Sequence, residues 1–129
     1  MQINILITGS NFDSQAAYSA WRFCTAALAQ GHVISQVFFY QGAVTVGSCL
    51  TEPLADEFNA SERWAELSEK HSIDLVVCVS AAERRGILGE QQIADLGKPV
   101  ANLHTAFSIK GLGALHDASL VSDRTVTFK

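Results

Sequence analysis

Apolar residues fall along this chain in two rhythms. Three runs of strand length, residues 3–8, 32–40 and 73–79, are nearly unbroken and rich in β-branched and aromatic side chains, as strands buried on both faces are. Between them the apolar positions open out to a spacing of three and four. Ala17, Ala20, Trp21, Cys24, Ala27 and Leu28 form one such stripe, with Asp13 or Ser14 placed to cap its first turn and Gly31 at its end. Leu54, Phe58, Trp64 and Leu67 form a second over residues 54–71, with its regular part starting near Ser61. Residues 41–53, broken by Gly42, Gly47 and Pro53, keep no period and leave room only for a short helix.

Beyond the third run, short helices are expected from Ser80 through Arg85 and over residues 89–96, closed by Gly86 and Gly97. A short fourth strand is predicted over residues 98–104, with Pro99 near its start, where a ladder donor is least needed. Gly111 and Gly113 mark residues 107–115 as a tight loop leading into a helix through Leu112, Leu115, Ala118 and Leu120, and residues 123–128 alternate as a last strand. Strands separated by helices imply parallel pairing through right-handed crossovers. The expected fold class is therefore α/β: three layers, a mostly parallel sheet of about five strands with helices on both faces, flavodoxin-like in architecture, and one domain over residues 1–129. Ligands and reactive groups in such sheets gather beyond the carboxyl ends of the strands. Here that rim is residues 9–14, 40–49 and 78–85.

Composition adds three constraints. Charged residues are only 17% of the chain against 48% hydrophobic, where an average domain carries about 25% charged. A surface so short of charge is expected to bury part of its exterior against other subunits. Thirteen acidic against nine basic residues give a net charge of −4, which offers no grip on phosphate backbones and argues against direct nucleic-acid binding. No apolar run approaches the roughly 20 residues that cross a bilayer, and Met1-Gln-Ile-Asn-Ile5 has no basic leader character, so a cytoplasmic chain without membrane contact is expected. Cys24, Cys49 and Cys78 form no C-x-x-C pair, and the four histidines are dispersed. The expectation is no structural disulfide, no metal and no cofactor.

The chemistry points to Cys78. It closes the third apolar run just before a predicted helix, where the positive end of the helix dipole and unpaired backbone N–H groups stabilise negative charge on sulfur by about 0.3–1 kcal/mol. Arg84 and Arg85 bring positive charge about a turn further on, partly offset by Glu83. The plain alternative is a small buried hydrophobe at a strand end, with the two arginines merely solvated. Cys24 lies on the apolar stripe of the first helix and reads as core. Cys49, in the irregular rim segment, is weak as a resolving partner. The loop over residues 8–14 lacks both G-x-G-x-x-G and a P-loop lysine, so an ordinary strand-to-helix turn outweighs a phosphate cradle. His104 stands alone, as structural histidines usually do.

These residues also carry a likeness. Val37-Phe-Phe-Tyr40, Val77-Cys-Val-Ser-Ala-Ala-Glu-Arg-Arg-Gly86 and Phe107-Ser-Ile-Lys-Gly-Leu-Gly-Ala-Leu115, in that order along the chain, resemble the TusD/DsrE family of sulfur-relay proteins, nearest to its TusD branch. The chain departs from the family pattern at residues 42–47, which lack its asparagine-rich character. The resemblance implies a DsrE-like fold and a sulfurtransferase subunit whose catalytic residue is Cys78. It implies a TusBCD-type heterohexamer, a dimer of heterotrimers with TusB-like and TusC-like subunits, taking sulfane sulfur from a TusA-like donor and passing it to a TusE-like acceptor for 2-thiolation of the tRNA wobble uridine. Three alternatives stay open at this point: a non-catalytic interaction subunit, a DsrE-type relay in sulfur oxidation, and a nucleotide or flavin binder resting only on the first strand-to-helix loop.

Overall fold

The computed structural model describes residues Met1–Lys129. Five strands, β1 (Gln2–Ile7), β2 (Val33–Phe39), β3 (Asp74–Cys78), β4 (Phe107–Lys110) and β5 (Arg124–Phe128), form one sheet in the order β4-β3-β2-β1-β5. Every pairing is parallel. The helices are α1 (Ala16–Ala29), α2 (Ala60–His71), α3 (Val79–Arg84), α4 (Glu90–Leu96) and α5 (Leu112–Val121). The chain steps one way from β1 to β4 and then returns past three strands to place β5 beside β1. Because such crossovers are right-handed, the return connection lies on the opposite face from the others. Thus α1 and α2 pack together on one face, and α5 lies alone against β1 and β2 on the other. No helix is long and apolar enough to cross a membrane.

Register shows how the sheet divides its residues. Ile5, Val37, Leu75 and Phe107 stand side by side across four strands, and Ile7, Phe39, Val77 and Ile109 form the next row of the same parity. This is the α1/α2 face, and Phe39 meets the ring of Trp64 from α2 edge-on at 5.8 Å. The alternate rows are Asn4, Gln36 and Asp74, then Leu6, Phe38, Val76 and Ser108. They face α5, as the Gln36 Nε2 bond to the Ala114 carbonyl shows (3.4 Å). Between Ile3 and Asn4 the β2 partner skips from Ile34 to Gln36, so Ser35 is one residue extra in the ladder.

The expected class, the number of strands and the placement of β1, β2, β3 and β5 agree with the structure. Two element boundaries are corrected. The fourth strand is not residues 98–104 but Phe107–Lys110, within the segment expected to be a loop. Residues 98–104 run irregularly, make one isolated antiparallel bridge through Leu103 to Ser48, and leave Val100 63% exposed. The stretch Leu54 to Phe58 is not helical. Asn59 starts α2 instead, its side chain accepting a hydrogen bond from the Glu62 N–H.

Candidate active site

The rim is assembled from strand ends. One rung beyond the last rungs pairing β1 with β2 and β2 with β3 lie Thr8, Tyr40 and Cys78, and Cys78 itself pairs with Lys110 of β4. By alternation these residues continue the parity of the α5 face. Cys78 is both the last residue of β3 and the N-cap of α3, with φ −67° and ψ 127°, and its side chain caps no backbone N–H. Small residues then bring the chain close in: Ala81 and Ala82 of α3 are buried. A 3₁₀ segment, Gln41–Gly47, presses in from the other side. Gly47 belongs there because a β-carbon on it would meet Val77 Cγ1 at 3.0 Å, and one on Gly42 would meet Ser10 Cβ at 2.8 Å.

Between these elements the rim opens a polar cavity of about 460 Å³, lined by Thr8, Tyr40, Gln41, Ser80, Arg84 and Arg85 among others. Arg85 Nη1 donates to the Ala81 carbonyl at 3.2 Å. Arg84 makes no hydrogen bond and no ion pair. The three ion pairs of the chain are Arg63–Glu66, His104–Glu62 and Lys110–Asp74, all away from this cavity. No carboxylate lines it.

The Cys78 sulfur was expected at the surface of this rim, and there the structure differs. The residue is 1% exposed and belongs to the main hydrophobic cluster, because it continues the row of Asp74 and Val76 and turns into the sheet face rather than outward. Its one polar neighbour is the Ser80 hydroxyl, Sγ to Oγ 3.6 Å. Ser80 itself is exposed and lines the cavity. The buried sulfur thus touches the hydroxyl of a residue that lines the cavity. The helix it begins, α3, has six residues, less than two turns, so its dipole is near the low end of the stabilisation anticipated from the sequence.

The other cysteines and His104 are resolved by their surroundings. Cys24 on α1 is fully buried, and desolvation pushes its thiol up to about 12. Cys49 is exposed and its backbone N–H donates to the Asn102 carbonyl at 2.7 Å. His104 is a tie between segments: Nδ1 accepts from the Ala106 N–H at 3.0 Å, Nε2 lies 2.9 Å from Glu62 Oε1, and the backbone N–H donates to the Gly47 carbonyl at 2.7 Å. The first loop is likewise spoken for. Its Asn11 N–H donates to Thr45 Oγ1 at 3.0 Å, and Ser14 Oγ accepts from the Ala16 N–H at 3.0 Å, which takes two of the donors a phosphate could use.

The rim expected from the sequence, residues 9–14, 40–49 and 78–85, contains Tyr40, Gln41 and Ser80, and the structure adds Thr8 to the walls of this site. The signal that finds it is register: strand-end residues of equal rank meet on the rim. Sequence reasoning missed Asn102, whose side chain accepts from the Leu88 N–H and donates to the Gly86 carbonyl, both at 2.8 Å, fixing the segment that follows α3.

Residues 1–128 match the DsrE/DsrF-like family. The chain is 46% identical over 124 residues to the sulfurtransferase TusD of Serratia proteamaculans, covering 96% of each chain. It is 44% identical over 128 residues to the sulfurtransferase TusD of Erwinia tasmaniensis, covering 99% of this chain and 100% of that one. Among solved structures, the ychN protein of E. coli superposes with a TM-score of 0.77 over 99% of this chain and 100% of its own, at 21% identity. That likeness is one of fold.

Proposed function

The chain belongs to the DsrE/DsrF-like family, and from that premise we propose that this sulfurtransferase carries sulfane sulfur as a persulfide on Cys78. Identity to TusD sulfurtransferases over nearly the full length supports the activity. The single observation that carries the assignment to Cys78 is its position at the β3–α3 junction, with its sulfur 3.6 Å from the hydroxyl of Ser80, a residue that lines the rim cavity.

Two exchange steps make up the relay. The Cys78 thiolate attacks the outer sulfur of a donor persulfide; the new S–S bond forms on Cys78, the donor's S–S bond breaks, and the donor cysteine leaves as thiolate with the bonding pair. An acceptor thiolate then attacks the outer sulfur of the Cys78 persulfide, and Cys78 leaves as thiolate. No net oxidation occurs. Burial serves the interval between the steps, since a persulfide shielded by Ser80 and the first turn of α3 is kept from oxidants and water. Transfer then requires that cover to move, and a serine rotamer change is a picosecond-to-nanosecond event.

In this reading the donor is TusA-like, the acceptor TusE-like, and the sulfur is destined for 2-thiouridine at the tRNA wobble position. TusB-like and TusC-like subunits complete the complex. The surface offered to them is α5, where Leu112, Leu120 and Val121 are 47%, 70% and 69% exposed. The test is intact mass after incubation with a persulfide donor. One labile sulfur is expected on the parent and none on Cys78→Ser; equal uptake by the variant removes Cys78 from the mechanism. The burial of Cys78 favours a second reading, a non-catalytic interaction subunit with a packed thiol. Iodoacetamide labelling separates the two: a Cys78 that reacts no faster than Cys24 supports the second.

A further inference from the structure

We propose that the rim cavity beside Cys78 is an oxyanion site, and that thiosulfate, a small dianion bearing a sulfane sulfur, loads Cys78 directly. This rests on Cys78 being the sulfur-accepting nucleophile and adds the chemical class of a donor to it.

Charge is the first argument. The chain is net acidic at −4, yet this cavity holds two guanidinium groups, Arg84 and Arg85, and no carboxylate. Neither is neutralised from elsewhere: Arg84 has no partner, and Arg85 donates one hydrogen bond, to a neutral carbonyl. Planar guanidinium forks match the oxygens of a sulfonate-like head as they match phosphate or carboxylate.

The second argument is what completes the lining. Thr8, Tyr40 and Ser80 bring hydroxyls and Gln41 an amide, neutral donors that bind oxyanion oxygens without charge of their own. The third is position. Tyr40 and Cys78 each follow the last paired rung of β2 and β3, and the Cys78 sulfur makes its side-chain contact, at 3.6 Å, with the hydroxyl of Ser80, which lines the cavity. An anion seated between the arginines therefore has the nucleophile behind one rotatable side chain. At about 460 Å³ the space suits an ion of five heavy atoms with water, not a folded segment of protein.

The step balances without a further reagent. The thiol proton goes to water. The Cys78 thiolate attacks the sulfane sulfur of thiosulfate, forming the Cys78 S–S bond as the sulfur–sulfonate bond breaks, and sulfite leaves with that electron pair. One zero-valent sulfur moves, and the summed charge is unchanged.

The test uses the full chain with thiosulfate, reading the sulfur gained by intact mass against sulfite released. The parent is expected to gain one sulfur on Cys78 for each sulfite. In the Arg84→Gln/Arg85→Gln variant the rate with thiosulfate is expected to fall at least about tenfold further than the rates of labelling by neutral iodoacetamide and of loading by cysteamine persulfide, which has no oxyanion. That pattern also shows that the variant is folded. Loading of the variant by thiosulfate as fast as the parent overturns the proposal, as does a parent that takes sulfur from cysteamine persulfide and none from thiosulfate; in both cases the relay through Cys78 stands. A Cys78 loaded by neither donor overturns the proposal and the relay together.

Discussion

The two faces of the sheet are built to different standards. On the α1/α2 face Ile3, Ile5, Ile7, Val37, Phe39, Leu75, Val77 and Phe107 are all 5% exposed or less. Trp64 closes over them, fully buried, with Nε1 donating to the Ala17 carbonyl at 3.3 Å. On the α5 face the first row is Asn4, Gln36 and Asp74. Two side-chain oxygens, Asn4 Oδ1 and Ser35 Oγ, are buried there without a partner, and α5 buries no residue of its own. The first face specifies the fold, because a one-residue slip would turn every one of its apolar side chains outward. The second face pairs this polar row with the fully buried Phe38 and Val76, lies under a helix that buries no residue, and ends at Cys78. Cys78 and the helix that buries none of its residues share one side of the molecule.

Mutations should expose that asymmetry, and the largest effect belongs to the dry face. Trp64→Ala should cost about 3–5 kcal/mol in urea unfolding; a loss under about 1 kcal/mol would mean that this face is not the stabilising one. On the opposite side, Leu120→Asp with Val121→Asp should leave the isolated chain as stable as the parent. The same pair should weaken association with partner subunits at least tenfold, about 1.4 kcal/mol, measured by co-purification and titration. Undiminished association would move the interface off α5.

Cys24 gives the dry face a signature in pH. Its thiol stays protonated when folded up to about 12 but ionises near 9.0 when unfolded. The unfolded state thus binds fewer protons between those values, and stability falls as pH rises through that window. Going from pH 8 to pH 10 should remove about 1.4 kcal/mol, an increment that Cys24→Ala abolishes. Identical pH slopes for parent and variant would contradict that burial. The smallest effect is expected at Ser35→Ala, which deletes an oxygen with no partner and should change stability by at most about 0.5 kcal/mol in either direction. A loss comparable to Trp64→Ala would show that the α5 face is as exacting as the other.

The same asymmetry sets what could be read from the sequence. β1, β2 and β3 were legible because they are long enough, and buried on enough sides, to print an unbroken apolar run. α1 was legible because its stripe faces the dry side, and Gly31 takes the expected left-handed conformation with φ 85°. β4 was not. Four residues give only Phe107 and Ile109 on one face and Ser108 and Lys110 on the other, too few for a period, while Val100 and Leu103 of the preceding segment imitate a strand. Leu54 imitated a helix start although it is 71% exposed; the capping bond at Asn59 depends on geometry that residue spacing does not carry. At the candidate site, the strand-to-helix junction and both arginines were visible in the sequence. The roofing of the sulfur was not, since whether a strand-end side chain turns inward depends on its rank in the ladder.

One pairing has a consequence for how the molecule is made. β1 reaches full pairing only when β5 arrives, and the two are fastened at their start by Gln2 N–H to Asp123 Oδ2 at 2.7 Å and Asp123 N–H to the Gln2 carbonyl at 2.8 Å. On this edge β1 waits for β5. Until β5 has been synthesised and docks against it, β1 presents an open row of amides and carbonyls, a template for stray strands.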